Sequence, residues 1–240
     1  MTPIPLLAAA VLGLAASAAP AFAAVDSLAT ETRELSGFTA ISLRGGIDLV
    51  VRQGAREAVQ VSADAKLLPM LSTTVEGSGD SRTLHIQWKP GESLRSKTRA
   101  VVTVDVVRLT AFSAGGSGDI KIGALTTPTF ALSIGGSSDA KLEQLSTERL
   151  RIAIGGAGDV QAAGRASRLE ISIAGSGDVK TRELAADDVS ISIAGSGDAS
   201  VQALKTLAVS IAGSGDVDHS GAAALTKGAI AGSGTIRQRK

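Results

Sequence analysis

The chain offers its chemistry mainly as aspartate. Asp119, Asp139, Asp159, Asp178, Asp198 and Asp216 recur about every twenty residues, and Thr235 takes the same place last. Each follows a glycine-rich run such as Gly115-Gly116-Ser117-Gly118 or Ala174-Gly175-Ser176-Gly177. Three kinds of chemistry are open to such a series. Carboxylates in register ~5 Å apart repel by roughly 1 kcal/mol in water, and a hard cation with oxygen ligands would relieve that. A pair of them could act as acid and base on a glycosidic bond. Each could also accept backbone N–H groups within its own turn, as Asx turns do.

Spacing and ligand count favour the last. The calcium-binding β-roll repeat is G-G-x-G-x-D with a period of roughly nine, and here the Asp falls one place early in a period of about twenty. Calcium takes roughly six to eight oxygens, and one Asp per period supplies few. Six near-identical positions read as architecture repeated for folding. The six aspartates are therefore expected to form a surface ladder, with no metal or cofactor site.

Other reactive groups are sparse. There is no cysteine, and His85 and His219 are the only histidines, so a three-histidine metal centre is excluded. His219 stands between Asp218 and Ser220, but neighbours on a strand point to opposite faces. No triad is expected there. Gly-Ser-Gly resembles part of a phosphate loop, yet no G-x-x-x-x-G-K-[ST] occurs.

The elements that carry the ladder follow from its flanks. Before each turn stands an alternating run: Phe130, Leu132, Ile134; Leu150, Ile152, Ile154; Leu169, Ile171, Ile173; Val189, Ile191, Ile193; Leu207, Val209, Ile211. A shorter run follows each turn, and Leu125, Leu145, Leu184 and Leu204 mark a third inward position. A fixed period with two or three short strands per unit is the signature of a solenoid. One unit cannot bury its own apolar side, so neighbours must stack at about 4.8 Å. A propeller would need about forty residues per blade, which makes two periods one blade and fits less well. Residues 35–108 alternate too, in less regular strands, with a short helix expected only around Asp64 to Leu71. Ser93 to Arg99 reads as a polar, basic loop.

Composition agrees with a core of small and branched residues: 44% hydrophobic, 2% aromatic, 28 glycines and no tyrosine. A net charge of +1 gives no broad field for nucleic acid. Pro5 to Ala18 is a short apolar run followed by Ala21-Phe22-Ala23, an A-x-A cleavage signal. Residues 1–23 are expected to be a removable secretory leader, 24–34 a flexible segment, and 35–240 the solenoid domain, with the Gly-Ser-Gly-Asp repeats over 109–240. No later run is apolar enough to span a membrane, and no cysteine follows the leader to carry a lipid.

Gly37-Phe38-Thr39-Ala40-Ile41, then Gly46-Ile47-Asp48-Leu49-Val50-Val51-Arg52-Gln53-Gly54, Val59-Gln60-Val61 and Leu84-His85-Ile86 precede the repeats in order. Together with the Ile-Ala-Gly-Ser-Gly-Asp units, this order resembles the bacterial auto-transporter adhesin "head GIN" domain, a domain of unknown function. The resemblance covers about Leu35 to Ile236. It implies an all-β, right-handed parallel β-helix with coils of about twenty residues and irregular N-terminal coils. It also implies export to a Gram-negative envelope, periplasmic or at the cell surface, and brings no catalytic residues. No membrane-barrel segment follows the repeats, so surface display is expected to need another mechanism. The expected function is a non-enzymatic, adhesin-like binding or structural module with an envelope or surface partner, protein or glycan. The alternatives are a β-helix enzyme acting on polysaccharide and a calcium-stabilised repeat protein. Partner and oligomeric state are not legible.

Overall fold

Alternating apolar residues have to be buried on one side of a strand, and the chain achieves this by coiling. A computed structural model describes residues 28–79, 81–91 and 99–239. The expected leader, residues 24–27 of the expected flexible segment and residues 93–98 of the basic loop lie outside the described residues. The first strands are β1 (Leu28–Arg33), β2 (Ala40–Gly45), β3 (Ile47–Gln53) and β4 (Ala58–Asp64). β5 (Leu71–Glu76), β6 (Thr83–Trp88), β7 (Ala100–Val106), β8 (Ala111–Gly116), β9 (Asp119–Thr126) and β10 (Thr129–Ile134) follow. Four long strands come next: β11 (Asp139–Ile154), β12 (Val160–Gly175), β13 (Val179–Gly195) and β14 (Ala199–Gly213). β15 (Val217–Ser220), β16 (Ala224–Gly232) and β17 (Ile236–Gln238) end the series.

The strands form two parallel lanes joined by the glycine corners. β6, β2, β8 and β10 make the first lane, before the corner. β7, β3 and β9 make the second, after it. Each long strand serves both. The first half of β11 pairs with β9 and its second half with β10. From there β12, β13 and β14 stack in turn. The chain is a β-solenoid.

Register explains the core. Leu84, Ile41, Phe112, Leu132, Ile152, Ile171, Ile191 and Val209 lie one above another in the first lane. All are buried. Each such side chain contributes about 1.5–3 kcal/mol by leaving water, and only the stack gives it a neighbour above and below. Every inward residue named above is buried except Leu204, which is half-buried. That coil is shorter, and Ala203 takes the inward place opposite Ala186. Phe38, Phe112 and Phe130 also lie inside.

The N-terminal region departs from simple coil order. The β2–β3 coil sits between the β6–β7 coil and the β8–β9 coil. β4 runs antiparallel to β7 and to β1, and β5 antiparallel to β6, closing this end. Two expectations are corrected. Residues 28–33, expected within a flexible segment, form β1, because the β4 edge supplies their backbone partners. The expected helix is one 3-10 turn, Leu68–Met70, because Pro69 supplies no N–H and its neighbours are drawn into β4 and β5.

Candidate functional site

The corner is built by glycine. At Gly195 a Cβ would lie 2.2 Å from the carbonyl oxygen of Gly175, the same place one coil earlier. Gly195 also has a φ of 144°, where side chains are strained. The close approach lets the next N–H reach across. Ser196 N donates to Gly175 O at 3.0 Å and Ser214 N to Gly195 O at 2.9 Å. A second glycine follows, as at Gly197, where a Cβ would meet Gly177 O at 2.2 Å.

The aspartates then tie each corner to the next. Asp139 Oδ1 accepts from Asp159 N at 2.9 Å, and Asp159 Oδ1 from Asp178 N at 3.0 Å. Asp178 Oδ1 accepts from Asp198 N at 3.1 Å, and Asp198 Oδ1 from Asp216 N at 2.7 Å. Asp216 Oδ1 closes the run, accepting the N–H of Thr235 at 2.8 Å and its hydroxyl at 2.7 Å. The bonds therefore run between coils, where the sequence pointed to bonds within a turn. One rung is missing. Asp119 receives no such bond, and its side chain is 77% exposed.

A further rung was not singled out from the sequence. Asp48 Oδ1 accepts from Asp119 N at 3.0 Å. Register reveals it: Gly45↔Gly116 and Leu49↔Ile120 align Gly45-Gly46-Ile47-Asp48 with Gly116-Ser117-Gly118-Asp119. Arg99, at the edge of the basic loop, donates to Asp48 Oδ1 at 3.3 Å and to Ser117 O at 3.2 Å.

The second carboxylate oxygens of Asp119, Asp159, Asp178 and Asp216 face cations. Lys180 Nζ lies 3.1 Å from Asp159 Oδ2 and 3.5 Å from Asp178 Oδ2. The Asp159 hydrogen bond is the main reason that its ammonium titrates above the ordinary lysine range. Asp216 is held below the ordinary carboxylate range, first by the Thr235 hydroxyl and further by the Thr235 N–H and Arg237. Among the described residues no group of three or more His, Cys, Asp or Glu side chains is arranged to hold a metal ion.

His219 does not meet Asp218 and Ser220 in a triad. Its ring is buried in the column of Val201, with Nδ1 unpartnered. Asp218 Oδ2 instead binds Arg182 at 3.0 Å and Arg239 at 3.1 Å.

Two shallow lateral grooves were not legible beforehand. One, of about 820 Å³, crosses the first lane between Arg151, Glu170, Ser172, Asp188, Ser190 and Thr206. The other, of about 600 Å³, crosses the second lane beside Lys141, Glu143, Gln161, Lys180, Arg182 and Glu183. Outside the first lane runs a column of Ser42, Ser113, Ser133, Ala153, Ser172, Ser192 and Ser210. Trp88 is half-buried with its ring edge against Gly45. The buried phenylalanines and this tryptophan leave neither groove an aromatic wall.

A stacked parallel solenoid with hydrogen-bonded Asp corners and open lateral grooves defines a class of repeat-built β domains. Residues 37–223 match the model of the putative auto-transporter adhesin, head GIN domain, and the chain belongs to that family. Solved structures share the fold. A putative adhesin from Bacteroides fragilis is 22% identical, covering 90% of this chain and 98% of that one, with a TM-score of 0.83. A putative lipid binding protein from Parabacteroides distasonis is 24% identical over 89% and 97%, with a TM-score of 0.71. A putative adhesin from Parabacteroides merdae is 22% identical over 89% and 96%, at 0.66. Among curated proteins none matches.

Proposed function

We propose that the chain is an exported, non-enzymatic binding module of the bacterial envelope that holds a surface partner, protein or glycan, on the lateral faces of its stack. The observation that carries this reading is where the polar chemistry goes. From Asp139 to Asp216 every ladder carboxylate accepts an N–H from the next coil. What stays available is the broad outer sheet with its serine column and two open grooves.

Family membership supports adhesion, and the solved relatives are putative adhesins or a putative lipid binding protein. Among the described residues no helix is long and apolar enough to cross a membrane. The wider groove has both acidic and basic walls and hydroxyls on its floor, which suits a polar partner more than an apolar tail.

A glycan array and capture from envelope extract, each run with wild type and Ser172→Trp, test the reading. Binding that Ser172→Trp abolishes at unchanged Tm supports it. Equal binding by both proteins would displace the site from this groove. Degradation of a polysaccharide by the purified chain would contradict the non-enzymatic assignment.

A further inference from the structure

We infer that the coil end formed by β16 and β17 is an interface for a second copy of this chain, joined end to end about a two-fold axis. All nine residues of β16 are exposed. Leu225 and Ile230 continue the core positions of Leu207 and Ile211, yet they are 46% and 45% exposed. Among the described residues the register pairs β16 with β14 and with no other strand, so its outer backbone edge is unpaired. The opposite end differs. It is closed by β5, β4 and β1 running antiparallel, with Leu67 and Leu68 buried against it.

Charge decides the occupant. Arg237 and Arg239 at this end already face Asp216 and Asp218, so two such ends can meet without an uncompensated clash of like charge. Lys227 is the one charge on β16. Antiparallel self-pairing centred on Gly228 sets Lys227 opposite Ala229 of the second copy and Thr226 opposite Ile230. Lys227 then lies diagonal to its two-fold mate and not directly opposite it, where like charge would be destabilising. A parallel, head-to-tail addition fits less well. Thr235 spends its hydroxyl on Asp216 and has no carboxylate to receive another coil, so the corner ladder stops there. Isologous two-fold contacts close after two copies, whereas head-to-tail contacts grow into filaments.

The test uses the exported chain as the cell processes it. Sedimentation over a wide concentration range is expected to show one chain converting to two and no further. Ile230→Lys is expected to weaken the dimer at least tenfold while leaving the circular dichroism spectrum unchanged. The chain has no cysteine, so Gly228→Cys provides a clean orientation probe. It is expected to form a disulfide-linked dimer under mild oxidation, and Gly228→Cys with Ile230→Lys is not. A one-chain mass at every concentration would overturn the inference. So would masses that keep rising beyond two copies, or a dimer indifferent to Ile230→Lys.

Discussion

Removing one ladder carboxylate should cost stability only where that carboxylate holds the next coil. Asp178→Ala deletes the acceptor of the Asp198 N–H at 3.1 Å and a 3.5 Å contact with Lys180. Hydrogen bonds to charged groups contribute about 1.5–3 kcal/mol. The Asp178 side chain is 34% exposed, so water competes and the lower end applies, about 1–1.5 kcal/mol. The exposed Lys180 pair adds a few tenths at most. For a domain of this size, about 1 kcal/mol moves Tm by roughly 2–4 °C, so a fall of about 2–6 °C is expected. Asp178→Asn keeps the acceptor oxygen and should lose less than half of that. Asp119→Ala removes a side chain that accepts no N–H from the next rung, and should change Tm by less than about 2 °C. Calorimetry of the three variants under one buffer provides the assay. If Asp119→Ala proves as costly as Asp178→Ala, the inter-coil bonds are not what the aspartates contribute.

Three further outcomes follow from the same geometry. Gly197→Ala should destabilise by about 1–3 kcal/mol in chemical denaturation, because its Cβ meets Gly177 O at 2.2 Å, while Gly54→Ala has nothing within 4 Å and should be near neutral. Ile173→Asp and Ile193→Asp each place an unpaired charge at a buried core position and should abolish the folded circular dichroism signal; two variants that melt like the parent would refute the inward assignment. Asp216 has a depressed folded pKa, so its contribution is complete above the ordinary carboxylate value of ~3.9 and is lost as pH falls through the lower folded value. The protection factor of the Thr235 amide, taken against its unstructured exchange rate at each pH, should fall in that acid window, and Thr235→Val should shift the fall to higher pH.

Much of this molecule is written in its local pattern. The alternation of Leu169, Ile171 and Ile173, repeated by Val189, Ile191 and Ile193, names the inward face without any structure, because side chains alternate along a strand. The turn motif is less decisive. Gly77-Ser78-Gly79 stands in the same order, yet it joins the antiparallel strands β5 and β6. What separates the two outcomes is the neighbouring coil, which local sequence does not contain. The same limit hid the placement of β2 and β3 between later coils, since parallel partners far apart in sequence leave no turn signal. Asp48 was visible as a residue but not as a rung, because Ile47 stands where the repeats have glycine. The lateral grooves depend on outward side chains from three or four coils at once, and only register brings those together.

The central claim is that the Gly-Ser-Gly-Asp repeat is the corner of a coil and not a ligand site. Comparing Tm in chelator and in saturating calcium tests it most directly. A cation bound to the folded ladder at about one hundred times its Kd would add ~2.7 kcal/mol, or roughly 5–11 °C for a domain of this size. Superimposable transitions are expected in the two buffers. A rise of that order, abolished by Asp178→Asn, would show that the aspartates hold an ion and that the corner reading is wrong.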